Sequence, residues 1–186
     1  AIALAKSIKE ISNKNVELAE PPVQQGSYST AMPGGDPFAM PIDQRIERLQ
    51  GLSKTLTADP KIVVANATQV LLRRRTRLAS MHGTKIDQTV TLHGGGIKAI
   101  AEDEGQLQPR TYPKDFEGNL LQGGEEIFNV LGLAENAERV REEAIALCHA
   151  PPCPERQTNL ILNGAQLSLQ IHESCGHPTE ADRALR

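Results

Sequence analysis

Residues 61–80 read KIVVANATQVLLRRRTRLAS, and residues 85–112 read KIDQTVTLHGGGIKAIAEDEGQLQPRTY. Lys61–Gln69 and Val70–Ser80 read as β-like. Arg73, Arg75 and Arg77 recur every second residue, so in a strand they share one face. Met81-His82-Gly83-Thr84 reads as a turn. Lys85–Ala101 and Gln106–Tyr112 make a further hairpin around Asp103-Glu104-Gly105. Residues 58–122 are therefore expected to form a twisted antiparallel sheet.

Moving toward the C-terminus, the apolar period changes from two to about 3.6 residues. Gly123 and Gly124 open a helical region. Leu133, Ala137, Val140, Ala144, Leu147 and Cys148 form the clearest amphipathic stripe in the chain. Pro151, Pro152 and Pro154 end that helix. Thr158–Asn163 (TNLILN) predicts a short apolar strand, and a further helix starts at Gly164. Moving the other way, residues 42–57 predict a helix with Ile42, Ile46, Leu49, Ser53 and Leu56 inward and Pro41 at its first turn. Glu20–Pro41 holds five prolines and three glycines, which predicts an extended, largely irregular linker. Ile2, Leu4, Ala5, Ile8 and Ile11 predict one more helix over 2–11. The expected class is α+β in three parts: a helical segment with a linker at 1–57, the sheet at 58–122, and a helical region at 123–186. The absence of an initiator Met and a helix-forming end without a stop signal predict a fragment of a larger two-domain protein.

Composition narrows the function. The chain has 186 residues, 39% hydrophobic and 23% charged, with no Trp, two Tyr and three Phe. Its core must be built from Ala, Leu, Ile and Val. A net charge of −3 gives no general attraction to nucleic acid or anionic lipid. No apolar run approaches the ~18 residues of a membrane span. Three cysteines are consistent with a reducing compartment and not with a disulfide scaffold, so a cytoplasmic location is expected.

One motif carries chemistry. Residues 172–177 are His-Glu-Ser-Cys-Gly-His, an H-E-x-x-x-H pattern one residue longer than the zincin motif. Neutral imidazoles of His172 and His177 suit zinc, and Glu173 beside them suits a general base for zinc-bound water. At ~100° per residue, histidines five apart on an α-helix diverge by ~140°. A π-bulge would return them to one face, with Gly176 permitting the distortion and Pro178 pushing His177 out of the α region. The alternative is a capped helix end with two solvated histidines. Two histidines do not complete a catalytic zinc site, which takes three protein ligands plus water. Glu180 and Asp182 are either partners that orient the histidines or ordinary first-turn acids of a following helix.

Other features have plainer readings. His93-Gly94-Gly95-Gly96 is similar to an esterase oxyanion loop, but no G-x-S-x-G accompanies it, so a glycine bend in a long strand is expected. Arg73-Arg74-Arg75-x-Arg77 reads as a solvated strand face. Cys148 reads as a buried apolar thiol, Cys153 as a loop residue, and His82 and His149 as surface turn and helix-end residues. Cys175 is either an exposed thiol or packed under the bulge.

The stretch 163–185, NGAQLSLQIHESCGHPTEADRAL, resembles the signature of the TldD/PmbA family, peptidases once called modulators of DNA gyrase. His172, Glu173, His177, Glu180 and Asp182 match the family's HExxxH and following Glu-x-Asp in place. DPFAMPIDQRIERLQGL (36–52), the turn from Ser80 to Gly83 and PPCPERQTNLILN (151–163) come in the family's order. The resemblance implies a zinc metallopeptidase with His172 and His177 as ligands and Glu173 as base. It implies a third ligand, a Cys, beyond Arg186, so this piece is expected to be inactive alone. It also implies peptide or unfolded-protein substrates and a paralogous TldD/PmbA-type subunit or a homodimer as partner, with no nucleic acid or membrane. The competing expectation is a non-catalytic peptide-binding or scaffold module of a protease complex.

Overall fold

Strand β3 (Lys85–Asp103) organises the sheet: β1 (Gln25–Ser29), β2 (Ile62–Ala79), β4 (Gln106–Tyr112) and β5 (Asn119–Gln122) all pair with it. This computed structural model describes residues 20, 22–113 and 118–184; the helix expected over 2–11 lies outside them. β4 pairs antiparallel to β3 from Ile97↔Tyr112 to Asp103↔Gln106. β5 pairs antiparallel from Leu92↔Gln122 to Gly95↔Asn119. The β3–β4 turn places Glu104 at φ 50° and Gly105 at φ 77°, the two left-handed residues a tight hairpin requires. The class is α+β, a five-stranded sheet with flanking helices.

The helices are α1 (Ile42–Leu56), α2 (Glu126–Val130), α3 (Leu133–Cys148), α4 (Gly164–Ile171) and α5 (Ala181–Ala184). The chain divides into two compact units. In the smaller, residues 22–28 meet residues 75–88 through Lys85 N–H donating to Gln24 O at 2.9 Å and Gln25 Nε2 donating to Gly83 O at 3.0 Å. Asp87 there accepts from Arg75 at 2.7 Å and Arg77 at 3.1 Å. Their hydrogen bonds and charge, Arg75 first, bring its carboxyl down to about 2. The arginine stripe is thus an ion-paired strand face.

The larger unit, residues 29–74 and 89–184 of those described, holds the core. Odd positions of β3, including Ile97, Ala99 and Ala101, turn inward. They meet Leu52 and Leu56 of α1, Ile127 and Phe128 of α2, and the α3 stripe. That stripe is Leu133, Ala137, Val140, Ala144 and Cys148, all buried. Leu147, expected to join it, is half-exposed because the 4-3-4-4 spacing already closes the inner face at Cys148. On α1 the inward row is Leu49, Leu52 and Leu56. Ile42 and Ile46 stay exposed, because the helix rolls to put Leu52 into the core.

Three further expectations are corrected. The two pieces expected over Lys61–Gln69 and Val70–Ser80 form one strand, β2 (Ile62–Ala79), which pairs with β3. The Glu20–Pro41 linker contains β1 and a 3-10 turn at Pro37–Ala39; Asp36 caps that turn by accepting from Phe38 N–H at 2.9 Å. Thr158–Asn163 is no strand. Leu160 and Ile161 are 78% and 95% exposed, and a strand exists only where another strand pairs with it.

The glycine run is explained by close approach. A Cβ on Gly94 would drive into the carbonyl of Asn119, and one on Gly95 into that of Thr68. β5 and β2 can lie against β3 there only because those positions have no side chain.

Candidate metal centre

The H-E-x-x-x-H segment is built by its own backbone. Asn163 caps α4, its side chain accepting from Gln166 N–H at 2.9 Å. α4 runs to Ile171 and passes directly into a π turn at His172–Gly176. The His177 N–H donates to His172 O, the i to i−5 bond that defines such a turn. The extra residue per turn brings His172 and His177 to one side, with ring centroids 4.5 Å apart and nearly perpendicular.

Two details differ from expectation. Gly176 sits at φ −62°, ψ −59°, ordinary right-handed space open to any residue. A Cβ there would make only van der Waals contact with the His172 ring, 3.5 Å away. The π turn therefore does not depend on glycine's freedom. His177 also remains in the α region, at φ −65°, ψ −41°. Pro178 does not expel it, because the chain enters a one-turn 3-10 helix at His177–Thr179. A proline is tolerated at the start of such a turn, where its missing N–H has no partner to lose.

One ligand atom each from His172, Glu173 and His177 lies within 4.8 Å of the others, in the one such group found among the described residues. His177 Nε2 is 3.9 Å from Glu173 Oε2. His177 Nδ1 is 2.7 Å from Glu180 Oε1. An ionised carboxylate only accepts, so Nδ1 carries the hydrogen of this bond, and in the neutral tautomer Nε2 is then the nitrogen with the free lone pair. Glu180 thereby fixes the tautomer that presents Nε2 to a ligand. Arg183 holds the other oxygen of Glu180 at 3.4 Å. Asp182 lies in the first turn of α5, exposed and outside the group. Cys175 is exposed with a free thiol, not packed under the turn.

The donor set fits a divalent metal of the zinc type: two imidazoles, one with its tautomer fixed by a carboxylate, and an acid within reach. Every residue from Pro151 to Ser174 except Leu162, Ala165 and Leu167 is exposed, and α4 leaves Leu169 and Ile171 more than half exposed. The motif is organised locally and not by a surrounding core.

His93 of β3, outside the motif, has the opposite setting. His93 is fully buried. Its Nδ1–H donates to Gly124 O at 2.9 Å, and its Nε2 accepts from Gln69 Nε2 at 2.8 Å. Its ring stacks on Phe128 at 5.9 Å. With both nitrogens occupied it is a structural residue. Cys148 is buried, its Sγ 3.7 Å from Ala101 O. His149 is a half-exposed helix end bonded to Asp103 at 2.7 Å. No helix of the described residues is long and apolar enough to cross a membrane.

Comparison with known proteins places these residues in context. The PmbA/TldA metallopeptidase central domain matches residues 35–147, which contain β2 to β5, α1, α2 and all of α3 but Cys148. The metal motif lies beyond that stretch. The metalloprotease MJ0996 of Methanocaldococcus jannaschii is 27% identical over 188 residues, a span that takes in all of this chain and 39% of MJ0996. The chain thus spans about two-fifths of the length of that relative. The crystal structure of TM0727 from Thermotoga maritima, a protein named for modulation of a DNA gyrase, aligns with 81% of this chain and 32% of its own. That alignment has a TM-score of 0.45 and 13% identity.

Proposed function

The chain belongs to the PmbA/TldA metallopeptidase family, and from that premise we propose that its His172–Glu173–His177 group is the zinc-binding part of a peptidase active site. The observation that carries the reading is the π turn, which brings both histidines and the glutamate to one side of the segment. His172 and the Nε2 of His177 would hold the ion, with a third ligand, a cysteine, supplied by sequence that follows Arg186 in the full protein. Bound zinc would lower the pKa of a ligated water toward ~7 and polarise the scissile carbonyl.

The chain's own residues supply the rest. Glu173 takes the proton from the attacking water and returns it to the nitrogen of the leaving amine. Glu180 holds His177 in the Nδ1–H tautomer throughout. The substrates are peptides or unfolded proteins. The working enzyme is a pair with a paralogous subunit or a second copy, in the cytoplasm, where the three free cysteines stay reduced. The 186-residue piece alone, lacking the third ligand, is expected to be inactive.

The test is peptide hydrolysis by the full-length protein and its Glu173→Gln variant. The expected result is chelator-sensitive turnover that falls by roughly 10²–10⁴-fold in the variant while metal content is kept. Hydrolysis unchanged by Glu173→Gln would overturn the assignment. Peptide affinity without turnover, insensitive to chelator, would instead identify a non-catalytic binding module.

A further inference from the structure

We propose that Thr179 is a positioning residue of the metal site: its hydroxyl latches the exit of the π turn and so fixes the direction in which His177 presents Nε2. The inference rests on the zinc reading of His172, Glu173 and His177. Thr179 itself lies outside the HExxxH and Glu-x-Asp residues that match the TldD/PmbA signature.

The need for a latch follows from the backbone. A helix end leaves its last carbonyls without donors of its own. Here the shortage begins early, because Pro178 has no N–H to give. The Glu180 N–H, which a continued helix would send to Gly176 O or Cys175 O, bonds His177 O at 3.2 Å instead. The Thr179 hydroxyl serves those two carbonyls. It donates to Cys175 O at 2.9 Å and Gly176 O at 3.0 Å, one hydrogen shared in a three-centre bond. The branched Cβ of threonine restricts its rotamers, and the one used here reaches the carbonyls three and four residues back.

Where this bond sits gives it a role. His177 is held from both sides: its own N–H donates to His172 O, and the carbonyls of the two residues before it are tied to Thr179. Thr179 also precedes Glu180, whose carboxylate accepts from His177 Nδ1 at 2.7 Å. Tying Thr179 to the π turn therefore sets the imidazole and its carboxylate together. No core does this instead, since His172–Gly176 and Thr179 are all exposed. In a segment with so little packing, single hydrogen bonds decide how often it opens. A threonine hydroxyl bonding back along a helix is common. What sets Thr179 apart is the turn it closes, with one histidine of the zinc reading at its start and the other just past its end.

The test compares the full-length protein with Thr179→Val, which keeps the shape and removes the hydroxyl, and Thr179→Ser, which keeps the hydroxyl. Zinc affinity is read by competition titration. Thr179→Val should bind about three- to tenfold more weakly, the worth of one hydrogen bond, and Thr179→Ser should stay within about twofold of the unsubstituted protein. With cobalt(II) in place of zinc, the visible absorption bands, which report ligand geometry, should change in Thr179→Val and be restored in Thr179→Ser. In the metal-free protein the His177 amide should exchange about three- to tenfold faster in Thr179→Val, while thermal unfolding stays unchanged. Zinc affinity equal in Thr179→Val and the unsubstituted protein, a Thr179→Ser variant as weak as Thr179→Val, or His177 exchange unmoved by the loss of the hydroxyl would each overturn this role alone. No zinc binding by the unsubstituted protein would overturn the zinc reading, and this role with it.

Discussion

His93 and His177 are both bonded to neighbouring groups, yet they belong to opposite kinds of structure. His93 is fully buried, with both ring nitrogens engaged and its ring stacked on Phe128. Its place depends on β2, β3 and the Gly123–Gly124 turn coming together over long sequence separations. His177 is about one-third exposed, and its partners lie within five residues. A histidine with both nitrogens used by the fold has no chemistry left to offer. One with a carboxylate on Nδ1 and an open Nε2 is prepared for a ligand. The glycine-dense sheet is specified by packing, whereas the metal motif is specified by one irregular turn.

That contrast predicts different responses to substitution. The largest effect belongs to the sheet. Gly95→Val places a branched side chain against the Thr68 carbonyl, and a loss of roughly 4 kcal/mol or more is expected; urea unfolding would measure it, and a loss below ~1 kcal/mol would show that the strands can part there. Leu133→Ala, in the core at 1% exposure, should cost about 2–5 kcal/mol.

On the motif the expectation reverses. Glu180→Ala should shift stability by no more than ~0.5 kcal/mol, yet weaken zinc affinity by about 10–100-fold. Metal affinity unchanged in a competition titration would leave Glu180 as a first-turn acid.

The smallest effect is at the hairpin of the smaller unit. Arg75 and Arg77 hold the Asp87 carboxyl at about 2, below its ordinary 3.8. A depressed carboxylate stabilises the folded state above the unfolded pKa, and that stabilisation fades as pH falls from about 4 to about 2. Carboxyl chemical shifts should show the low midpoint, and Arg75→Ala should move it upward; a midpoint near 4 in the unsubstituted chain would mean that the pairing is not kept in solution.

The sequence was legible where a pattern is local. The α3 stripe, the β3–β4 turn and the π turn, one of the two readings open for the motif, all follow from neighbours within a few residues. The contact of Glu180 with His177 also lies at i, i+3 spacing, one of the two readings open for that acid. What was not legible depends on distant partners. β1 hid among prolines because its pairing strand lies some sixty residues away. The TNLILN alternation looked like a strand but finds none to join. The rotation of α1, which exposes Ile42 and Ile46 and buries Leu52, is decided by α3 and the sheet.

The central claim is that the π turn makes a metal site, and the most direct measurement is metal content per chain. The full-length protein would be purified without chelator beside its His172→Ala variant. One zinc per chain, lost in the variant while its thermal unfolding stays unchanged, is the predicted result. No zinc in the unsubstituted protein, or zinc retained in the variant, would contradict it and leave the motif as the end of a helix.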